Sequence, residues 1–101
     1  MRLLIFFDVP TKTVEDRKNY RRLHKSLIKE GFLMIQKSVY VRVLMNKQSA
    51  RYLEERIRKV TPPDGIVQSM MITEKQYSEI KFLAGKKIED IRNSDERLVV
   101  I

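Results

Sequence analysis

Leu3-Leu4-Ile5-Phe6-Phe7-Asp8-Val9-Pro10 is the stretch on which the fold turns. A continuous apolar run of branched and aromatic residues, closed by a proline, reads as a strand covered on both faces and therefore central in a sheet. Period two sets Leu3, Ile5 and Phe7 on one face and Leu4, Phe6 and Asp8 on the other. A single carboxylate thus ends a strand made otherwise of apolar side chains.

Working outward, Thr13 with Asp16 three residues on forms a capping-box signal that opens a helix. Tyr20, Leu23, Leu27 and Ile28 recur at helical spacing, and Gly31 supplies the stop. Residues 32–36 and 38–44 read as two strands joined by a tight turn at Gln36-Lys37. In the second, Val39, Val41 and Val43 alternate with Tyr40, Arg42 and Leu44. Asn46 caps a second helix whose apolar stripe is Ala50, Leu53, Ile57 and Val60. Thr61-Pro62-Pro63-Asp64-Gly65 breaks the chain, and residues 66–73 form a fourth strand. The order β-α-β-β-α-β predicts an α+β, ferredoxin-like fold, an antiparallel sheet with both helices on one face. That fold hosts many functions and sets no chemistry by itself.

The 101 residues suit one domain, here 1–83, followed by a segment over 84–101. Thr73-Glu74-Lys75-Gln76 repeats the capping-box pattern and predicts one helical turn; residues 80–83 are expected to form a short strand. After a polar linker come Leu98-Val99-Val100-Ile101. Chain ends usually fray. Four consecutive strand formers are costly to leave in water, so the expectation is a docking strand added to a sheet edge, and across that linker the edge could belong to a second protomer. A homodimer follows.

Composition narrows the function. There are 21 Lys and Arg against 13 Asp and Glu, for a net charge of +8, and hydrophobic residues make up 43 %, as in a soluble globular chain. The excess is one-sided: residues 1–47 hold eleven basic and four acidic side chains, residues 48–101 ten and nine. Such a field points to a polyanion. With no cysteine, disulfides, thiol nucleophiles and thiolate metal sites are excluded. The apolar start stops at Asp8, short of a signal-peptide core or membrane span, so a cytoplasmic location is expected.

Lys18, Arg21, Arg22, Lys25 and Lys29 lie at i, i+3, i+4, i+7 and i+11 of the first helix, within an arc of roughly 100° opposite its apolar face. Most charge runs are solvated faces, but no acid lies between Arg17 and Lys29 to pair with these bases. Phosphate contact fits better, and base-specific reading is not indicated. Arg17, Lys18, Arg21, Arg22, Lys25 and Lys37 are the nucleic-acid-binding candidates, with Arg2 and Arg42 as extensions of the patch. Asp8 is either a cap for the turn that follows or a functional group on a rigid element. Mg²⁺ takes one or two carboxylates together with waters and substrate phosphate. As a metal ligand, Asp8 therefore needs a twin from a second protomer. His24, the only histidine, reads as a packing residue, and Tyr40 and Phe32 as core or edge aromatics. No Gly-rich phosphate loop, paired carboxylates or Ser-His-Asp set can be assembled, and the aromatic signatures of an RNA-recognition sheet are missing.

The opening Leu-Leu-Ile-Phe-Phe-Asp8-Val-Pro, the helix Arg17-Lys18-Asn19-Tyr20-Arg21-Arg22, and Gly31-Phe32 leading to Gln36-Lys37-Ser38-Val39-Tyr40 resemble the CRISPR-associated protein 2 family. Pro62-Pro63 and the ending Ser94-Asp95-Glu96-Arg97-Leu98-Val99 resemble the subtype that accompanies a single-protein RNA-guided effector nuclease. The resemblance implies a ferredoxin-like homodimer in spacer acquisition that bridges two integrase dimers and supports captured double-stranded DNA. It also implies a metal-dependent endonuclease acting on single-stranded RNA or double-stranded DNA. There the aspartate matching Asp8 is catalytic and binds Mg²⁺, the two copies facing each other across the dimer axis. Ser38 matches the family's hairpin serine, and Tyr40 stands where phenylalanine is frequent; both are expected as site neighbours. Bridging is the expected main role and cleavage the alternative, while a small-molecule regulatory module lacks any pocket signature.

Overall fold

The computed structural model describes residues 1–85. Within them the chain runs β1 (Arg2–Asp8), α1 (Val14–Lys29), β2 (Leu33–Gln36), β3 (Val39–Val43), α2 (Lys47–Arg58), β4 (Ile66–Ile72) and a short α3 (Glu74–Ser78). The four strands form one antiparallel sheet in the order β2-β3-β1-β4, which makes β1 central as its sequence requires. This is the ferredoxin-like arrangement expected.

Each helix begins and ends for local reasons. The Thr13 side chain accepts the Asp16 amide at 2.9 Å while the Asp16 carboxylate accepts the Thr13 amide at 3.1 Å, a reciprocal cap on α1. At the other end Gly31 takes φ +91, and the Phe32 and Gly31 amides reach back to the carbonyls of Leu27 and Ile28, each at 3.0 Å. This pair of bonds is a Schellman stop, which favours glycine because a Cβ at positive φ meets the backbone. Asn46 caps α2 by accepting the Ser49 amide at 2.8 Å.

One core lies between the helices and a single face of the sheet. Leu3, Ile5 and Phe7 of β1 pack with Leu23 and Leu27 of α1, Ala50, Leu53 and Ile57 of α2, and Tyr40 of β3. The opposite face is covered less than the sequence implied. Leu4 and Phe6 are only half-buried, because both helices pack on the other side of β1. Ile28, expected in the stripe of α1, lies on its exposed edge.

The β2–β3 turn falls at Lys37-Ser38, one residue later than expected. It follows a register shift between Met34 and Gln36 that brings Gln36 opposite Val39. Residues 80–83 are not a strand; they follow α3, and Ile80, Phe82 and Leu83 stay exposed with no ladder partner among the described residues. The expected docking strand at 98–101 and its linker from 86 onward lie outside the described residues.

Tyr40 is fully buried, stacked on Phe7 at 5.7 Å and hydrogen-bonded to His24 Nδ1. Burial, aided by the neighbouring Tyr20 hydroxyl, pushes its hydroxyl up to about 12. The folded chain therefore keeps a proton that the unfolded chain releases near pH 10. Stability should be intact below about pH 10 and fall from there to about pH 12. Thermal melts of Tyr40→Phe between pH 8 and 11.5 should lack that part of the alkaline decline.

Candidate nucleic-acid interface and strand-end carboxylate

Lys18, Arg21, Arg22, Lys25 and Lys29 are all exposed along the outer side of α1. They take part in none of the ion pairs among the described residues. Their row is backed by the buried pair Leu23 and Leu27, which fixes the helix rotation and turns the bases outward. At the start of α1, Arg17, Tyr20 and Arg21 meet Thr11 and Lys37 around a shallow cleft. Lys37, remote in sequence, thus joins the basic row through the hairpin turn. Arg17 is partly committed, since its Nη1 donates to the carbonyls of Thr11 at 3.3 Å and Lys12 at 2.9 Å. It braces the loop ahead of the helix while its side chain stays exposed.

Arg2 and Arg42 do not extend the patch. The Arg2 guanidinium donates to both Glu74 carboxylate oxygens, at 3.1 and 3.0 Å, and stacks over the Tyr77 ring at 4.1 Å. It pins β1 to α3 and holds the Glu74 carboxyl below the usual carboxylate range. Arg42 donates to the Glu30 carbonyl at 2.6 Å, beneath Gly31, and serves the end of α1. Charge counting alone could not separate these two from the free bases, because their partners lie far along the chain.

Asp8 is exposed at the end of β1, and its carboxylate has no hydrogen-bond or ion-pair partner among the described residues. It caps no turn side chain-to-backbone, so the structural alternative loses its support. Its face matters more. Asp8 follows Leu4 and Phe6 on the open side of the sheet, whereas α1 covers Leu3, Ile5 and Phe7. The carboxylate and the basic helix therefore share one end of the sheet but occupy opposite faces. Phe7 links them, its ring edge-on to Tyr20 of α1 at 5.8 Å.

The strand end is gripped by two turns. The Phe7 amide donates to the Ser38 carbonyl at 3.1 Å on the β3 side. On the β4 side Asp8 pairs with Ile66, and Gly65 lies directly over the Asp8-Val9 backbone. Ser38 thus adjoins the site through its main chain, whereas Tyr40 sits inside the core and reaches it only through Phe7. The sequence reading passed over Gly65 as part of a breaker. The Asp-Gly pair just before a strand was the available signal. No cluster of three or more Asp, Glu or His side chains that could hold a metal ion exists among the described residues.

A family model described as CRISPR associated protein Cas2 matches residues 1–80. The chain is 55 % identical over 101 residues to the CRISPR-associated endoribonuclease Cas2 of Ligilactobacillus salivarius strain UCC118, and 57 % identical over 101 residues to that of Lacticaseibacillus rhamnosus strain GG, each match covering the full length of both chains. Among solved structures, that of Streptococcus pyogenes Cas2 at pH 6.5 superposes with a TM-score of 0.65 at 17 % identity, covering 83 % of this chain and all of the other. That last likeness bears on the fold alone. No helix among the described residues is long and apolar enough to cross a membrane.

Proposed function

The chain belongs to the CRISPR-associated Cas2 family, and on that premise we propose that it is a homodimeric subunit of spacer acquisition that holds double-stranded DNA on α1 and bridges integrase dimers. The observation that carries this reading is the exposed basic row of α1, joined by Lys37 and unpaired among the described residues. Five bases on one rigid helix suit the regular phosphate spacing of a duplex, and an absence of base-edge readers suits cargo of any sequence.

The dimer is supported by the open sheet face. Cross-strand pairing groups Leu4 and Phe6 with Val39 and Met70, flanked by Leu33, on the face opposite α1 and α2; Val41 on that face is buried, and α3 meets only its Arg2 end. A contiguous apolar surface of this kind is a protein contact. Edge strand β4, Ile66–Ile72, carries no charge, proline or glycine to discourage pairing. It suits the Leu98-Val99-Val100-Ile101 segment of the partner protomer.

A second reading, endonuclease activity on single-stranded RNA, is favoured by the position of Asp8 beside Phe6 on that same face. Two copies packed face to face bring two carboxylates toward one axis. Together with waters and substrate phosphate they match the oxygen ligands that Mg²⁺ accepts. Bound there, Mg²⁺ would supply charge stabilisation at the phosphate and a more acidic water. This chain's own part is to hold one carboxylate on a rigid strand end, the second coming from the partner protomer. The two readings are compatible: the basic row and the carboxylate lie on different faces.

Phe6→Glu, which sets a charge in the middle of the open face, should convert the dimer to monomer in sedimentation velocity. With the cognate integrase and a short duplex, the same variant should lose integration. A dimer that persists would remove the sheet face as the dimer contact, and integration at wild-type yield by a monomer would remove the bridging assignment. Asp8→Ala should integrate at the wild-type level, since bridging makes no use of the carboxylate.

A further inference from the structure

Asp8 is the last residue of β1, and its carboxylate has no hydrogen-bond or ion-pair partner among the described residues that would fix it. Its position is therefore set by the main chain alone. Two residues in the left-handed region stand on either side of that main chain, one from each flanking turn. Ser38, at φ +66, is the sole non-glycine residue with positive φ among the described residues, and its carbonyl accepts the Phe7 amide at 3.1 Å. Gly65, at φ +104, packs on the other side. An L-Cβ built there would stand 2.7 Å from the Asp8 carbonyl oxygen and 2.9 Å from both Cα and Cγ1 of Val9.

The direction of that clash follows from the backbone. At ordinary β-strand φ, side chains leave the sheet on alternate faces and miss the neighbouring strand. At φ +104 the Cβ of Gly65 would instead aim into β1. Two of the three atoms in its way are backbone, so no rotamer change relieves the contact; the strand end or the turn must move. Ser38 contributes in a different way. Its hydroxyl makes no hydrogen bond among the described residues, whereas its carbonyl does. That bond continues the β1–β3 ladder one step past the Phe6–Val39 pair, so the residue that turns the hairpin at φ +66 also holds the Phe7 amide.

We infer that Gly65 and Ser38 are positioning residues for Asp8, Gly65 by the absence of a side chain and Ser38 by its carbonyl, not its hydroxyl. This rests on the reading of Asp8 as the working carboxylate. Displacing a reacting group by about 1 Å can cost on the order of a hundredfold in rate, so a clamp on a strand end with no side-chain anchor has a direct catalytic consequence.

The test uses the full chain, isotopically labelled. Three variants, Gly65→Ala, Ser38→Gly and Ser38→Val, are compared with wild type. Glycine keeps the carbonyl and tolerates φ +66, while a branched residue resists that conformation. The readouts are the amide shifts of Phe7, Asp8 and Val9, the ¹³C shift of the Asp8 carboxyl, hydrogen exchange at the Phe7 amide, and kcat and KM for a single-stranded RNA with Mg²⁺. Gly65→Ala should shift the Asp8 and Val9 resonances and lower kcat by about tenfold or more at unchanged KM. Ser38→Val should speed Phe7 exchange and lower kcat, and Ser38→Gly should retain wild-type values for both.

A folded Gly65→Ala chain with unmoved Asp8 resonances overturns the Gly65 assignment. Equal behaviour of Ser38→Val and Ser38→Gly overturns the Ser38 assignment. If Gly65→Ala does not fold, the comparison at Ser38 decides the clamp. If wild type cleaves no RNA, the catalytic reading of Asp8 fails, while the Asp8 resonances still report whether the two turns place it.

Discussion

Exchanging Asp8 for alanine is expected to lower metal-dependent RNA cleavage by on the order of a hundredfold or more, with little change in stability or nucleic-acid binding. The stability half follows from exposure and the lack of partners: surface changes of this kind stay within about 0.5 kcal/mol. Binding should hold or strengthen, because the variant removes a negative charge from a chain of net charge +8. Loss of cleavage with loss of fold would mean only that the strand end had collapsed, so melting temperature belongs beside each rate. The requirement for a twin is separately testable. When wild type and Asp8→Ala are unfolded, mixed in equal amounts and refolded, about a quarter of the dimers carry both carboxylates. A shared site should then show about a quarter of wild-type activity, and independent sites about half. A value at one half would confine the chemistry to single protomers. Cleavage persisting in homogeneous Asp8→Ala would take the carboxylate out of the mechanism.

What could be read from the chain alone was governed by how local each cause is. The cap at Thr13, the stop at Gly31 and the Asn46 cap act within a few residues, and each stands where the pattern placed it. The order of elements followed, and with it the fold. Facing was harder. Alternation in β3 separates Tyr40, Arg42 and Leu44 from the three valines but cannot say which set meets the helices, and both Tyr40 and Val41 turn out to be buried. The open face of the sheet was invisible for the same reason. Leu4 and Phe6 are as apolar as Leu3 and Ile5, and only the placement of both helices on one side leaves them half-covered.

The site was legible in its charges and not in its commitments. Glu74 neutralises Arg2 from 72 positions away, and the Glu30 carbonyl engages Arg42 across 12. A count of bases treats both as free. Gly65 shows the same limit: Asp-Gly before a strand announces a turn, but that the turn presses on Asp8 depends on β4 pairing with β1. At residues 80–83 the apolar content suggested a strand. A strand needs a partner as well as a composition, and this segment pairs with neither edge of the sheet within the described residues.

Those commitments shape the second large effect, replacement of Arg21, Arg22 and Lys25 together by alanine. All three are exposed and unpaired among the described residues, and alanine is the best helix former, so α1 should remain intact and the fold with it. Affinity for a duplex should fall by on the order of tenfold to a hundredfold near 0.1 M salt. The slope of log affinity against log salt should flatten by up to about three per protomer, since each phosphate contact contributes about 0.9. The slope is the more informative quantity, because a general loss of affinity through misfolding would not reduce the number of released counterions in that proportion. Arg2→Ala and Arg42→Ala provide the contrast. Each removes the same formal charge, yet their guanidinium groups are held by Glu74 and by the end of α1, so the cost should appear in melting temperature with the salt slope unchanged. Equal flattening by Arg2→Ala would show that net charge, not the α1 row, drives binding. An unchanged slope in the triple variant, with Lys47→Ala and Arg51→Ala on α2 reducing it instead, would move the nucleic-acid path to the second helix.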